Sequence, residues 1–201
     1  MTAKLEFYFD FISPFSYVAY HALPHELGDL SDRVEFRPLF LGAVMQTTGN
    51  RPPGLVPAKG KYMQRDLQRC CARYGIEFRM NPHFPMMNTR PMLRAAIGLA
   101  DDADTQKRFI ETIFHHVWRA EEPLKTDDLE QVRAICASAG FDADRILGFA
   151  ESEETKARLK ANTDSAVERG AFGAPSFFVE DELFFGHDRL DYAREALIAA
   201  G

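Results

Sequence analysis

The sequence predicts an α/β fold interrupted by a helical insertion. Three features of its 201 residues point there: an aromatic, extended run near the N-terminus that breaks at Ser13-Pro14 into a helix, two short extended runs near the C-terminus, and a long intervening stretch with helical periodicity and no strand alternation.

Leu5 to Phe9 is rich in the aromatic residues that strands favour, which makes residues 4 to 9 the first strand. Ser13-Pro14 ends it, and residues 15 to 27 follow as a helix through Tyr17, Val18, Ala22 and Leu23. A helix that begins near Pro14 leaves its first N–H groups unpaired beside Ser13, a place suited to an anion. Val34 to Leu39 is the second extended segment, at the distance expected of a strand, helix, strand unit. With those strands parallel, the Ser13 turn lies beyond the carboxyl end of the first, where open α/β sheets bind ligands.

Thr47 to Gly54 is dense in turn formers and reads as a loop over one side of that site. From Lys61 a helix carries Met63, Leu67, Cys70 and Tyr74 near one face and stops at Gly75. Pro82, Pro85 and Pro91 then divide an irregular region, before a short helix through Met92, Ala95, Ala96 and Leu99. Phe109, Ile113, Phe114 and Val117 make the stripe of the next helix, and another starts near Thr126-Asp127 with Leu129, Val132 and Cys136 inward. Ser152 caps a longer helix that ends near Gly170. Ser176 to Val179 and Leu183 to Phe185 form a hairpin, and Leu190 to Leu197 a helix to cover it. This order supports a thioredoxin-like fold in one unit, residues 1–201. Residues 1–43 and 170–201 are its approximate core, and 44–169 the mainly helical insertion and connecting helix.

Composition narrows the function. Twenty-four basic and 30 acidic side chains give a charge of −6, which disfavours broad nucleic-acid binding but not a local pocket for a small anion. No apolar run reaches membrane-spanning length and the N-terminus lacks a signal-like pattern, so the expected location is cytoplasmic and no membrane partner is expected. Cys70, Cys71 and Cys136 are odd in number and read as small apolar residues, not a disulfide scaffold. His115 and His116 are sequential on a helix and point apart, so no metal site is assigned.

Phe7-Tyr8-Phe9-Asp10-Phe11-Ile12-Ser13-Pro14-Phe15-Ser16-Tyr17 closely resembles the opening of the 2-hydroxychromene-2-carboxylate isomerases, which are related to kappa-class glutathione transferases and more distantly to the DsbA disulfide oxidoreductases. The resemblance runs on through Gly49 to Gly54, Lys59 to Asp66, Gly173-Ala174-Pro175 and Gly186 to Leu190, nearly the whole chain. It implies a thioredoxin-like fold with a helical domain inserted after the second strand, glutathione as cofactor, a small aromatic substrate and a homodimer.

Ser13-Pro14-Phe15-Ser16 stands where redox relatives of the fold carry Cys-x-x-Cys, so an internal disulfide cannot cycle here. A serine at a helix start donates instead to the thiolate of a bound cofactor and lowers its pKa. By resemblance Ser13 activates glutathione, beside Pro14 and Phe15, with Ser16 a lesser candidate. Ala174-Pro175 resembles the cis-proline loop that pairs with the cysteinyl backbone, Asp188 and Arg189 match the γ-glutamyl end, and Asn50 is carried over from the kappa-like sites. Substrate contacts are assigned to Phe15 and Phe84 for the ring and to Arg51 and Lys59 for the carboxylate, with Lys61 as a further cation. Phe11 reads more as core than as contact. Three functions follow from the resemblance: isomerisation of aromatic pyruvates by reversible thiolate addition, kappa-like glutathione transfer, and glutathione binding without catalysis.

Overall fold

A computed structural model describes residues 2–201. Strands β1 (Leu5–Phe9), β2 (Val34–Pro38), β3 (Ser176–Val179) and β4 (Glu182–Phe185) form one sheet in the order β2-β1-β3-β4. β1 and β2 run parallel, and β3 is antiparallel to both β1 and β4. Helix α1 (Pro14–Leu27) makes the crossover from β1 to β2, so its N-terminus sits at the carboxyl end of β1, as expected.

The helices between β2 and β3 are α2 (Leu41–Thr48), α3 (Pro57–Tyr74), α4 (Arg90–Gly98), α5 (Ala103–Trp118), α6 (Leu129–Ser138), α7 (Ala143–Glu151) and α8 (Glu153–Glu168). α9 (Leu190–Ala199) closes the chain. Insertion and sheet share one core. Phe7 stacks on Phe177 across the β1–β3 pair, ring centroids 4.8 Å apart, and Phe114 of α5 meets Phe11 edge-on at 4.9 Å. Phe11 is fully buried, which makes it core and excludes a substrate contact. Each such ring contributes roughly 1.5–3 kcal/mol by burial.

Two helices lack a counterpart in the sequence reading. α7 is capped by Asp142, which accepts from the Arg145 N–H, and α2 ends at Gly49 in the left-handed region. Gly148 interrupts the periodicity of the first, and the second is only eight residues long. Both Ala174-Pro175 and Phe84-Pro85 are cis.

Candidate active site

Ser13 is the N-cap of α1, extended at φ −87° and ψ 111°, with Pro14 in the first turn. Its Oγ accepts from the Ser16 N–H at 3.1 Å and donates to the Ala174 carbonyl at 3.1 Å. The start of α1 and the cis-proline loop therefore meet at one hydroxyl, on a residue that is 5% exposed. Among the described residues the Phe15 N–H has no acceptor, leaving a second donor beside Ser13. The Ser16 Oγ is buried without a partner among the described residues.

Asp10 holds this turn in place. Its buried carboxylate accepts from the Ile12 N–H (3.1 Å), the Leu41 N–H at the start of α2 (2.9 Å) and Thr89 Oγ1 ahead of α4 (2.6 Å). Burial pushes the Asp10 carboxyl up from its ordinary range, and those donors oppose the push. The sequence reading missed this role, because an Asp after a strand looks like any turn residue.

Asn50 ties the loop after α2 to the same place. Its Nδ2 donates to the Phe172 carbonyl at 2.8 Å and its Oδ1 accepts from the Arg51 N–H at 2.9 Å. The Nδ2 thus ties the loop to Phe172, just ahead of Gly173, while the Oδ1 fixes the turn within the loop itself.

Asp188 and Arg189 lie on the single turn before α9, where Arg189 Nη1 donates to the Asp188 carboxylate at 2.9 Å. Gly186 has φ +100°, and a Cβ there would stand 2.6 Å from Asp188 Oδ1. A methyl there would push that flexible carboxylate aside, and the φ itself favours glycine. Asp188 lines a cavity of about 360 Å3 with Asp66, Arg69, Cys70 and Arg73 of α3 and with His187. A second cavity, about 440 Å3, is lined by Phe15, Pro53, Lys59, Met63 and others. Tyr62 and Asp66 line both. Between them the Phe15 ring stacks on His187, centroids 5.4 Å apart and planes within 8°.

The structure thus brings Ser13, Pro14, Phe15, Asn50, Ala174 and Pro175 to one place, with Asp188 and Arg189 beyond the Phe15–His187 stack. Lys59 and Phe15 share the second cavity. Arg51 is exposed and, like Ser13, Asn50, Ala174, Pro175 and Arg189, lines neither cavity, and the half-buried Phe84 packs edge-on against Trp118 at 5.7 Å, so the structure gives these two substrate assignments no contact of their own. Tyr62, Asp66, Cys70 and His187 were not read from the sequence as site residues. No group of three or more His, Cys, Asp or Glu stands together as a metal site among the described residues, and no described helix is long and apolar enough to cross a membrane.

Fold and site together define a thioredoxin-like protein whose anion seat at the start of α1 presents a hydroxyl in place of a thiol. The family model of the DSBA-like thioredoxin domain matches residues 4–198. The 2-hydroxychromene-2-carboxylate isomerase of Sphingobium xenophagum is 33% identical over 205 residues, covering 98% of this chain and 100% of the relative. Glutathione S-transferase kappa 2 of Caenorhabditis elegans is 29% identical, over 96% of this chain and 91% of its own. A solved 2-hydroxychromene-2-carboxylate isomerase superposes with a TM-score of 0.81 at 30% identity, covering 97% of this chain and 94% of that one. The chain belongs to the DSBA-like thioredoxin family and, within it, to the family of the 2-hydroxychromene-2-carboxylate isomerases.

Proposed function

We propose that this protein is a glutathione-dependent isomerase that interconverts 2-hydroxychromene-2-carboxylate and trans-o-hydroxybenzylidenepyruvate or related aromatic pyruvates. The observation that carries the reading is the Ser13 hydroxyl, held at the α1 N-terminus and against the Ala174 carbonyl, with no protein thiol in the same turn. The residues present fit a tripeptide with two carboxylates and one ammonium: the cavity beside Asp188 offers carboxylates and the guanidinium groups of Arg69 and Arg73, and its volume of about 360 Å3 suits a small ligand.

Glutathione, when bound, would supply a thiolate, a nucleophile suited to reversible addition to a conjugated side chain and so to rotation about the former double bond. Ser13 Oγ, its one proton turned from the Ala174 carbonyl, and the Phe15 N–H would donate to the sulfur and hold it ionised near neutral pH. The Ala174 main chain aligns the cysteinyl segment, and Asp188 binds the ammonium. Phe15 and Met63 present an apolar wall to the aromatic ring while Lys59 faces the carboxylate. The proposal includes a homodimer, which light scattering of the purified protein tests, and a cytosolic location, which fractionation of cells tests.

Starting from either isomer, the enzyme is expected to speed the approach to one equilibrium while total glutathione stays constant. Stoichiometric loss of glutathione into a released conjugate would favour transfer, the second reading, which the likeness to the kappa-class enzyme supports.

A further inference from the structure

Of the three thiols, Cys71 and Cys136 are buried, whereas Cys70 lines the cavity that also holds Asp188. Cys70 Sγ lies 3.0 Å from His187 Nε2. The imidazole is itself fixed: His187 is buried, and its ring is stacked on Phe15. A nucleophile, a base in contact with it and a cavity for a small ligand therefore coincide, on the far side of the stack from Ser13.

Around the pair stand Glu26 of α1, Asp66, Arg69 and Arg73 of α3, and Asp188. Burial, with Asp66 and Asp188, pushes the Cys70 thiol up, and burial pushes the His187 imidazolium down. Both shifts favour the neutral forms, and with the imidazole protonated on Nδ1 the 3.0 Å contact lets the thiol donate to Nε2. Such a thiol is not a standing thiolate; it becomes one as the imidazole takes its proton.

We propose that Cys70 is a site of mixed-disulfide formation with glutathione disulfide, with His187 as the base. Sγ attacks one sulfur of the disulfide, the S–S bond breaks as the Cys70–S bond forms, and the proton passes through Nε2 to the departing glutathione thiolate. The disulfide is the only oxidant required. The tethered tripeptide then fills the cavity beside Asp188, so oxidised glutathione shuts the site that reduced glutathione uses; this consequence rests on the proposed glutathione site.

The test is intact-mass and peptide-mapping spectrometry of the folded protein incubated with glutathione disulfide or with 2-hydroxyethyl disulfide. The expected result is one reductant-reversible glutathione on Cys70, none on Cys71 or Cys136, and faster modification by glutathione disulfide than by the smaller probe. Cys70→Ser takes no adduct. His187→Asn, checked by thermal melting, reacts on the order of a hundredfold more slowly at neutral pH. No adduct on Cys70, equal labelling of the buried thiols, or no preference for glutathione disulfide in the wild-type protein overturns the proposal without reliance on any variant. A wild-type rate in folded His187→Asn removes the base and overturns it as well. Calorimetry with reduced glutathione separates the two readings: no binding sinks the proposed cofactor site, while a selective Cys70 adduct still upholds the exchange.

Discussion

Replacing Ser13 by alanine deletes one oxygen that both caps α1 and donates toward the cis-proline loop, each at 3.1 Å. The lost cap costs about 1 kcal/mol, and the lost hydrogen bond to Ala174 roughly 0.5–1.5 kcal/mol. At about 2–4 °C per kcal/mol for a chain of this size, the melting temperature falls by several degrees and the protein stays folded. Catalysis suffers more: removing one preorganised donor from a reacting anion costs about 2.7–4 kcal/mol, on the order of 10²–10³ in turnover. Ser13→Gly separates the effects, since glycine at a cap loses only a few tenths of a kcal/mol relative to serine. The glycine variant is expected to melt above the alanine variant yet turn over as slowly. The optical isomerisation rate at saturating glutathione, with absorbance titration of the bound thiol, reads both. Turnover of Ser13→Gly within about threefold of wild type, less than 1 kcal/mol, with an unshifted thiol titration refutes the role assigned to Ser13.

Three further outcomes follow. Gly186→Ala puts a methyl 2.6 Å from Asp188 Oδ1 at a φ of +100°, a conformation close to glycine-only. It should lose roughly 1–3 kcal/mol in denaturant unfolding and bind glutathione more weakly by calorimetry. Asp188→Asn keeps the shape and removes the charge; affinity for reduced glutathione should drop about tenfold, roughly 1.4 kcal/mol, while melting changes little because the exposed pair with Arg189 is worth about 0–1 kcal/mol. Burial holds His21, His116 and His187 below the ordinary imidazole range. Unfolded imidazoles therefore take up protons before folded ones, so this share of the stability is present above about pH 6.5 and is lost as the pH falls through the folded values, at most about 1.4 kcal/mol per pH unit for each. Denaturant unfolding between neutral pH and pH 5 should show a shallower decline in His187→Asn, and an unchanged slope removes His187 from that account.

What the sequence made legible was local. Phe7, Tyr8 and Phe9 announce a strand by type, Ser152 and Gly75 mark helix ends by their own backbone preferences, and Ser13 beside Pro14 announces a cap. Gly148 hid α7 because an interior glycine costs a helix about 1 kcal/mol and breaks its stripe. The rest of the site depends on partners that only the fold brings together. Asp10 reaches Leu41 across 31 positions and Thr89 across 79, and Cys70 meets His187 across 117. Phe84 shows the converse: in a chain with 17 phenylalanines, residue type alone does not say which ring faces a ligand, and this one faces Trp118.

The donors around Ser13 act on both halves of an isomerisation. Lowering a thiol's pKa weakens it as a nucleophile, with a Brønsted slope of about 0.4–0.5, but makes it leave faster. Transfer needs only the addition; isomerisation needs a departure after every addition. A neutral hydroxyl, already shared with the Ala174 carbonyl, and one helix N–H are moderate donors that favour ionisation without fixing the sulfur as an inert anion. A protein thiol in the same turn would compete for electrophiles and disulfides. Here the one thiol that lines a cavity, Cys70, faces a different one behind the Phe15–His187 stack, where it is in hydrogen-bond contact with the imidazole. The stacked pair therefore divides the molecule's sulfur chemistry in two. On the Ser13 side sulfur arrives with a ligand and leaves unchanged, and on the His187 side it belongs to the protein and responds to oxidation.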